Sequence, residues 1–449
     1  MGDLAAIFKA YDVRGLAPGE FDPPMARRIG AAFARLVADE DPSVTRVLVA
    51  RDMRPTGVEL VAAFADGVCA QGLDVVDLGL ASTDLLYFAA GSLEAPGAMF
   101  TASHNPAQYN GIKFCRSGAR PVGEESGLFT VRDLAQSGVP DTDRRGSVTH
   151  QDLLGAFADH VRSFVDLGAL RPLKVVADVA NGMGGLVVPA VFEALPFDLE
   201  VMYPELDGTF PNHPADPIQP ENQRDLVARV LEVGADVGLA FDGDADRVFL
   251  VDERGVGLSG STTTAILADA ILKRHPGGVV VHNLICSKAV AEVVREAGGV
   301  PVRTRVGHSF IKQVMATEDA VFGGEHSAHY YFADNYRADS GLIAAVMVLE
   351  QVCTRGIPLS ELRRPYERYA ASGEINTRVA DTGVVIERVA AAYDGVAQDR
   401  LDGLTVDAGD WWFNLRASNT EPLLRLNLEA ATPDEVARRV EEVRSHFGS

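Results

Sequence analysis

The sequence predicts an α/β protein built in layers around mostly parallel sheets, closed by a smaller α+β segment. Three observations carry this. Short apolar runs alternate with longer amphipathic stretches, polar glycine-rich loops follow several of the runs, and the pattern changes after Pro365. The runs at 47–50, 75–78, 175–177, 237–241 and 279–281 are short and Val-rich, which suits buried strands. Helical periodicity fills the segments 25–38, 226–233 and 288–296 between them. Buried strands interleaved with helices imply layered α/β units.

The loops come in two sets. RDMRPTG from Arg51, DVANGMGG from Asp178 and NLICSK from Asn283 follow the first strand of each unit. TASHNP from Thr101, FDGDADR from Phe241 and GGEHSAH from Gly323 come later in each. In open α/β sheets, ligands gather beyond the carboxyl ends of the strands, so three units would offer their loops to one cleft. At about 150 residues per domain, 449 residues also suggest about three domains. The polar region 120–152 is the expected first boundary, and the Gly-rich 254–260 the start of the third unit. The final segment ends in an amphipathic helix over 433–447.

Composition narrows the function. Lys and Arg number 41 against 63 Asp and Glu, a formal net charge of −22. That disfavours sequence-independent binding of nucleic acid, which needs a basic face. Small phosphorylated substrates feel local charge and stay open. The longest apolar stretch, 342–349, is far short of the ~18 residues of a membrane helix. The N-terminal MGDLAAIFKAYD has no secretory pattern, and Gly2 lacks the hydroxyl residue at position 6 that myristoylation needs. Cys69, Cys115, Cys286 and Cys353 show no C-x-x-C spacing, so a reduced, cytoplasmic chain without a cysteine-built metal site is expected.

Four sequences carry chemistry. FDGDADR places Asp242, Asp244 and Asp246 at alternate positions, so an extended backbone would point them to one side. Three close carboxylates repel unless a cation sits among them, and oxygen ligands suit Mg²⁺ or Ca²⁺. An EF-hand would need Gly where Arg247 stands, and helical flanks; an acidic surface turn is the plain alternative. TASHNP sets Ser103 in a small-residue turn where Asn105-Pro106 disfavours helix. A backbone-capping turn explains the same residues, and Lys113 ten positions on is equally ambiguous alone. GGEHSAH alternates Glu325, Ser327 and His329, a set suited to polyol hydroxyls if the backbone is extended. A zinc site or surface histidines are the rivals. His308, in VGHSF, reads alone as a polar core residue. RASNTEP joins Arg416 to Ser418, Asn419 and Thr420, a fork and hydroxyls that suit a phosphate dianion, or else a capping turn with a surface arginine.

Together with YDVRG at 11–15, these motifs resemble, in order and spacing, those of the α-D-phosphohexomutase family across nearly the whole chain. The resemblance implies three similar mixed-sheet α/β domains and a smaller C-terminal α+β domain around a central cleft, here divided as 1–150, 151–252, 253–366 and 367–449. It implies that Ser103 carries a phosphoryl group and that Asp242, Asp244, Asp246 and the phosphoserine oxygen hold Mg²⁺. Glu325 and Ser327 would contact sugar hydroxyls. Arg416, Ser418, Asn419 and Thr420 would clasp the phosphate that is not reacting. Arg14, Lys113, Arg247, His308 and His329 would line the cleft, with Lys113 or His329 moving protons. GEHSAH is most similar to the loop of bacterial phosphomannomutases, whereas phosphoglucosamine mutases typically show GEQSGH; Lys288 lies at the end of NLICSK, so no substrate role is carried to it. The implied reaction interconverts mannose 6-phosphate and mannose 1-phosphate through a hexose 1,6-bisphosphate in a monomer or homodimer. Phosphoglucomutase or dual activity, phosphoglucosamine mutase, a metal-dependent phosphatase and a calcium-binding module are the alternatives.

Overall fold

The computed structural model describes residues 4–417 and 423–448, which form four sheets. The apolar runs are strands: Arg46–Arg51, Asp74–Leu80, Lys174–Asp178, Val237–Phe241 and Val279–Asn283. Most of their residues are buried, as strands covered on both faces require, while Asp74–Leu80 buries only Val75 and Val76. The helices fall where periodicity placed them, at Pro23–Glu40, Arg224–Val233 and Lys288–Glu296. The first is fixed at its start by Asp22, whose Oδ1 accepts from the Met25 amide at 2.9 Å, and by Pro at its first turn.

The first three sheets share one core order. In the first, Tyr109–Arg116, Gly97–Phe100, Arg46–Arg51 and Asp74–Leu80 lie side by side. The second runs Val248–Asp252, Val237–Phe241, Lys174–Asp178, Asp198–Met202. The third runs Tyr330–Phe332, Phe322–Gly324, Val279–Asn283, Val300–Thr304. In each set the last three strands are parallel and the first is antiparallel to its neighbour. The sheets are therefore mixed, as the family resemblance implied, and not mostly parallel throughout. The antiparallel strand was hidden because it follows its partner by a short loop, and that loop is where the polar motifs sit. Ser103, the Asp242–Asp246 cluster and Glu325–His329 occupy the same topological corner of three repeated units.

The region 120–152 is more than a boundary. It contains the helix Leu128–Ser137, and its strand Val148–His150 pairs in parallel with Asp74–Leu80 at the edge of the first sheet. One continuous apolar core runs through the first three units. The last segment has its own core, from Val385 to Phe447, between an antiparallel sheet and the helices Thr382–Ala392 and Pro433–Ser445. Among the described residues no single helix is long and apolar enough to cross a membrane.

Candidate active site

The three equivalent corners meet. Ser103 Oγ donates to Asp242 Oδ2 at 2.8 Å, and Lys113 Nζ donates to Asp244 Oδ2 at 2.8 Å and Asp246 Oδ2 at 2.6 Å. His329 Nδ1 lies 3.8 Å from Asp246 Oδ1. The first unit thus supplies a hydroxyl and a cation, the second three carboxylates, the third an imidazole.

The metal-loop backbone departs from expectation. Residues 242–247 form a turn, with Ala245 at φ 61°, instead of an extended run. The carboxylates converge because the turn curls round them: one oxygen of each lies within 4.8 Å of the others, and all three residues are fully buried. The flanks are strands, which disposes of the EF-hand. Gly243 is needed here, since a Cβ would stand 2.5 Å from the Ser103 carbonyl. The donor set fits a hard cation. Oδ1 of Asp244 and of Asp246 is buried without a hydrogen-bond partner among the described residues, and every donor is oxygen. Burial drives the Asp242 carboxyl up against the pull of Arg247, and Asp244 and Asp246 add to the rise, to about 7. Arg247 supports Asp242 twice, from Nε at 2.9 Å and from its amide at 3.2 Å.

Ser103 sits in left-handed backbone, φ 49°, which costs a serine energy unless its surroundings impose it. Arg54 is what imposes it. This fully buried side chain donates to the carbonyls of Ser103, Asn105, Pro106 and Tyr109 at 2.6–2.9 Å and to Asp52 at 3.2 Å. Sequence reasoning saw RDMRPTG only as a loop. A buried arginine has no sequence periodicity, and only the flanking polar turn hinted at it. Arg14 donates to Asn105 Oδ1 at 2.7 Å and pairs with Asp12, bracing the same loop from its outer side.

Burial opposes a charge on Lys113, but Asp244 and Asp246 outweigh it and raise its pKa well above the ordinary value. Burial also opposes charging His329, and Asp246 with Asp339 again prevails, so its pKa is raised. The loop 325–329 differs from the alternation expected. Residues 325–329 close a tight turn, in which the Glu325 amide donates to the His329 carbonyl at 3.0 Å and Ala328 adopts φ 66°. A turn re-aims each side chain, so the three do not share one strand face. Glu325 is buried, and its two oxygens accept from Tyr331 at 2.5 Å and Asn283 at 3.0 Å. Ser327 is half-buried at the apex, and His326 turns away to Ser261, 3.1 Å distant. The two groups able to hold a metal among the described residues are the aspartate triad and Asp246, His329 and Asp339, with no cysteine and no His326.

Arg416 lies one residue before the end of the strand Trp412–Ala417 and donates to Glu374 at 2.9 Å, while its buried Nε has no partner among the described residues. Burial, then Asp402 and Glu325, raise the Tyr11 phenol, while Arg305 and Arg416 pull it back. Ser418, Asn419 and Thr420 lie outside the described residues. So does the side chain of His308, whose backbone opens the helix His308–Thr317 beside Tyr11.

Repeated units that bring a serine, a carboxylate triad, an ammonium and an imidazole to one cleft fit a phosphoryl-transfer enzyme. Comparison with known proteins specifies it. The α/β/α domains I, II and III of the phosphoglucomutase/phosphomannomutase family match residues 5–135, 155–255 and 259–369, and its C-terminal domain matches 374–446. A phosphomannomutase of Salmonella montevideo is 42% identical over 435 residues, covering 94% of each chain. Phosphohexose mutases of Xanthomonas campestris pv. campestris are 42% identical over 430 residues with the same coverage. The crystal structure of a phosphoglucomutase/phosphomannomutase family protein from Burkholderia thailandensis superposes with a TM-score of 0.91 at 31% identity, covering 100% of this chain and 98% of that one. The chain belongs to the phosphoglucomutase/phosphomannomutase family and is a phosphohexomutase.

Proposed function

We propose that the enzyme interconverts mannose 6-phosphate and mannose 1-phosphate, with Ser103 as the phosphoryl carrier. The observation that supports it most is the pairing of Ser103 Oγ with Asp242 inside a buried triad that leaves two carboxylate oxygens unpartnered. Asp242, Asp244, Asp246 and the phosphoserine oxygen are assigned to Mg²⁺. When bound, Mg²⁺ neutralises charge on the phosphoryl oxygens and makes phosphorus more electrophilic.

The chain's own residues do the rest. Arg54 and Arg14 hold the serine loop rigid, so the phosphoryl group is presented in one position. Glu325 and Ser327 bind sugar hydroxyls, and Arg416 with Ser418, Asn419 and Thr420 holds the distal phosphate. Arg14, Arg247 and His308 line the cleft with positive charge or hydrogen bonds. In the first half-reaction the free sugar hydroxyl loses its proton to His329 as its bond to phosphorus forms. The Ser103 Oγ–P bond breaks, and Lys113 gives Oγ a proton. The hexose 1,6-bisphosphate turns end for end. In the second half-reaction Lys113 and His329 reverse these transfers, and Ser103 recovers a phosphoryl group. Arginine and hydroxyls recognise a phosphate without reading the carbon that bears it, which suits a clasp serving both orientations.

A coupled assay with mannose 1-phosphate and glucose 1-phosphate, each with a trace of hexose 1,6-bisphosphate, tests this reading. We expect the 6-phosphate isomer as product and a Ser103→Ala variant that folds but loses most turnover. Release of inorganic phosphate in place of isomer would establish a phosphatase, and near-normal activity of Ser103→Ala would overturn the carrier.

A further inference from the structure

Behind His329 lies a buried ion pair that the reaction as described does not use. Asp339 Oδ2 stands 2.9 Å from His329 Nδ1, and its other oxygen stands 2.8 Å from Lys312 Nζ. Lys312 and Asp339 are both almost fully buried, at 3% and 2% exposure. Two aromatic faces lie near the ammonium, with the Tyr87 ring centroid 3.8 Å away and that of Tyr331 5.8 Å away. Tyr331 in turn lies against the imidazole, ring centroids 6.2 Å apart and nearly parallel.

A buried ion pair is a poor source of stability, because desolvating two charges offsets most of their attraction. Its geometry fits a different use. An ionised carboxylate at Nδ1 accepts only if Nδ1 carries the hydrogen, which leaves the lone pair on Nε2. The carboxylate must itself be held, since a free one would rotate or draw in water.

We propose that Lys312 and Asp339 are positioning residues for the mutase reaction: Lys312 fixes the Asp339 carboxylate, and Asp339 fixes the His329 ring and tautomer so that Nε2 faces the sugar hydroxyl. The inference rests on the reading of His329 as the proton carrier. The proton lost by the hydroxyl goes to Nε2 as the new O–P bond forms, Nδ1–H stays with Asp339 throughout, and the Nε2 proton returns to the sugar oxygen in the second half-reaction. The arrangement parallels the use of a second group to orient a catalytic imidazole, with the lysine adding a third link.

Two measurements test it. Protein labelled with ¹⁵N only at histidine gives a long-range ¹H–¹⁵N spectrum at about pH 9, well above the ordinary imidazole range. His329→Gln assigns the signal. The hydrogen is expected on Nδ1 in the wild type. A signal from the Nε2–H tautomer overturns the proposal without touching the mutase reading, and needs no altered protein beyond the assignment. The second measurement is kinetic. Lys312→Met should lower kcat at least about tenfold while KM moves less than about twofold, within the range that one general base contributes. Lys312→Arg should recover most of the loss. In a His329→Gln background Lys312→Met should cost nothing further, because its effect passes through that imidazole. An equal loss in both backgrounds means that the pair acts elsewhere and refutes the proposal. Wild-type kcat in His329→Gln alone would remove His329 as proton carrier and the inference with it, identifying the underlying reading as the one that failed.

Discussion

Replacing Arg54 by lysine should dismantle the serine loop without removing a charge. Arg54 donates five hydrogen bonds, one to Asp52 and one each to the carbonyls of Ser103, Asn105, Pro106 and Tyr109. An ammonium has three donors on one atom, so at least two of these acceptors lose their partner. A buried acceptor left unsatisfied costs about 1–3 kcal/mol, which makes the loss about 2–6 kcal/mol. All of it falls on a loop that already holds Ser103 in left-handed backbone. Amide hydrogen exchange at 103–109 should therefore speed up by a factor of about 30 to 10⁴, at tenfold per 1.4 kcal/mol, while protection of the other sheets changes little. Turnover should fall about a hundredfold, the size of effect that a misplaced reacting group produces. Unchanged exchange in the loop with kcat within about twofold of wild type would show that Arg54 is only packing.

Three further outcomes are expected. Asp244→Asn should cut turnover heavily, and EDTA-treated enzyme should regain activity only with added Mg²⁺; full activity after stripping would sink the metal assignment. Arg416→Ala should raise KM for mannose 1-phosphate about ten- to a hundredfold, the equivalent of a lost charge-assisted contact of about 1.5–3 kcal/mol, and an unchanged KM would place Arg416 outside the clasp. Burial raises the Asp84 carboxyl from 3.8 to about 8, against hydrogen bonds from Ser340 and Ser82. The folded chain therefore keeps a proton that the unfolded chain releases above about pH 4, so stability falls as pH climbs from about 4 to about 8. Asp84→Asn imitates the protonated form, and its denaturation midpoint should gain on wild type across that window; a pH-independent difference would count against a protonated Asp84.

Much of this was legible in the residues, for identifiable reasons. Valine-rich runs can bury two faces only in a covered sheet, so the parallel strands stood out. The triad was visible because three acids after an apolar strand have few uses. What stayed hidden depends on turns and on distance along the chain. Alternation suggested extended backbone for 242–246 and for 325–329, yet Ala245 and Ala328 turn into left-handed conformation and fold both segments back. Lys113 looked ambiguous because its partners, Asp244 and Asp246, are 131 and 133 residues away. Arg54, Lys312 and Asp339 were missed altogether. Each is a charged residue in the interior, where sequence pattern assigns charge to the surface.

Those separations also set a clock on synthesis. Translation at about 5–20 residues per second puts roughly 7–26 s between the appearance of Lys113 and that of its carboxylate partners. Thr83, which donates to Asp244 at 2.6 Å across 161 residues, waits longer, and Asp84, which accepts from Ser340 at 2.6 Å across 256, longer still. The first unit therefore emerges from the ribosome with its serine loop tied down by Arg54 but with an unmatched ammonium beside it. The second emerges with Asp242 beside its own Arg247, but with Asp244 and Asp246 lacking the Lys113 ammonium until it docks. Neither half-made product holds the set of groups that moves a phosphoryl group. The hydroxyl, the carboxylates and the imidazole of the first three units come together only when the third unit closes on the other two.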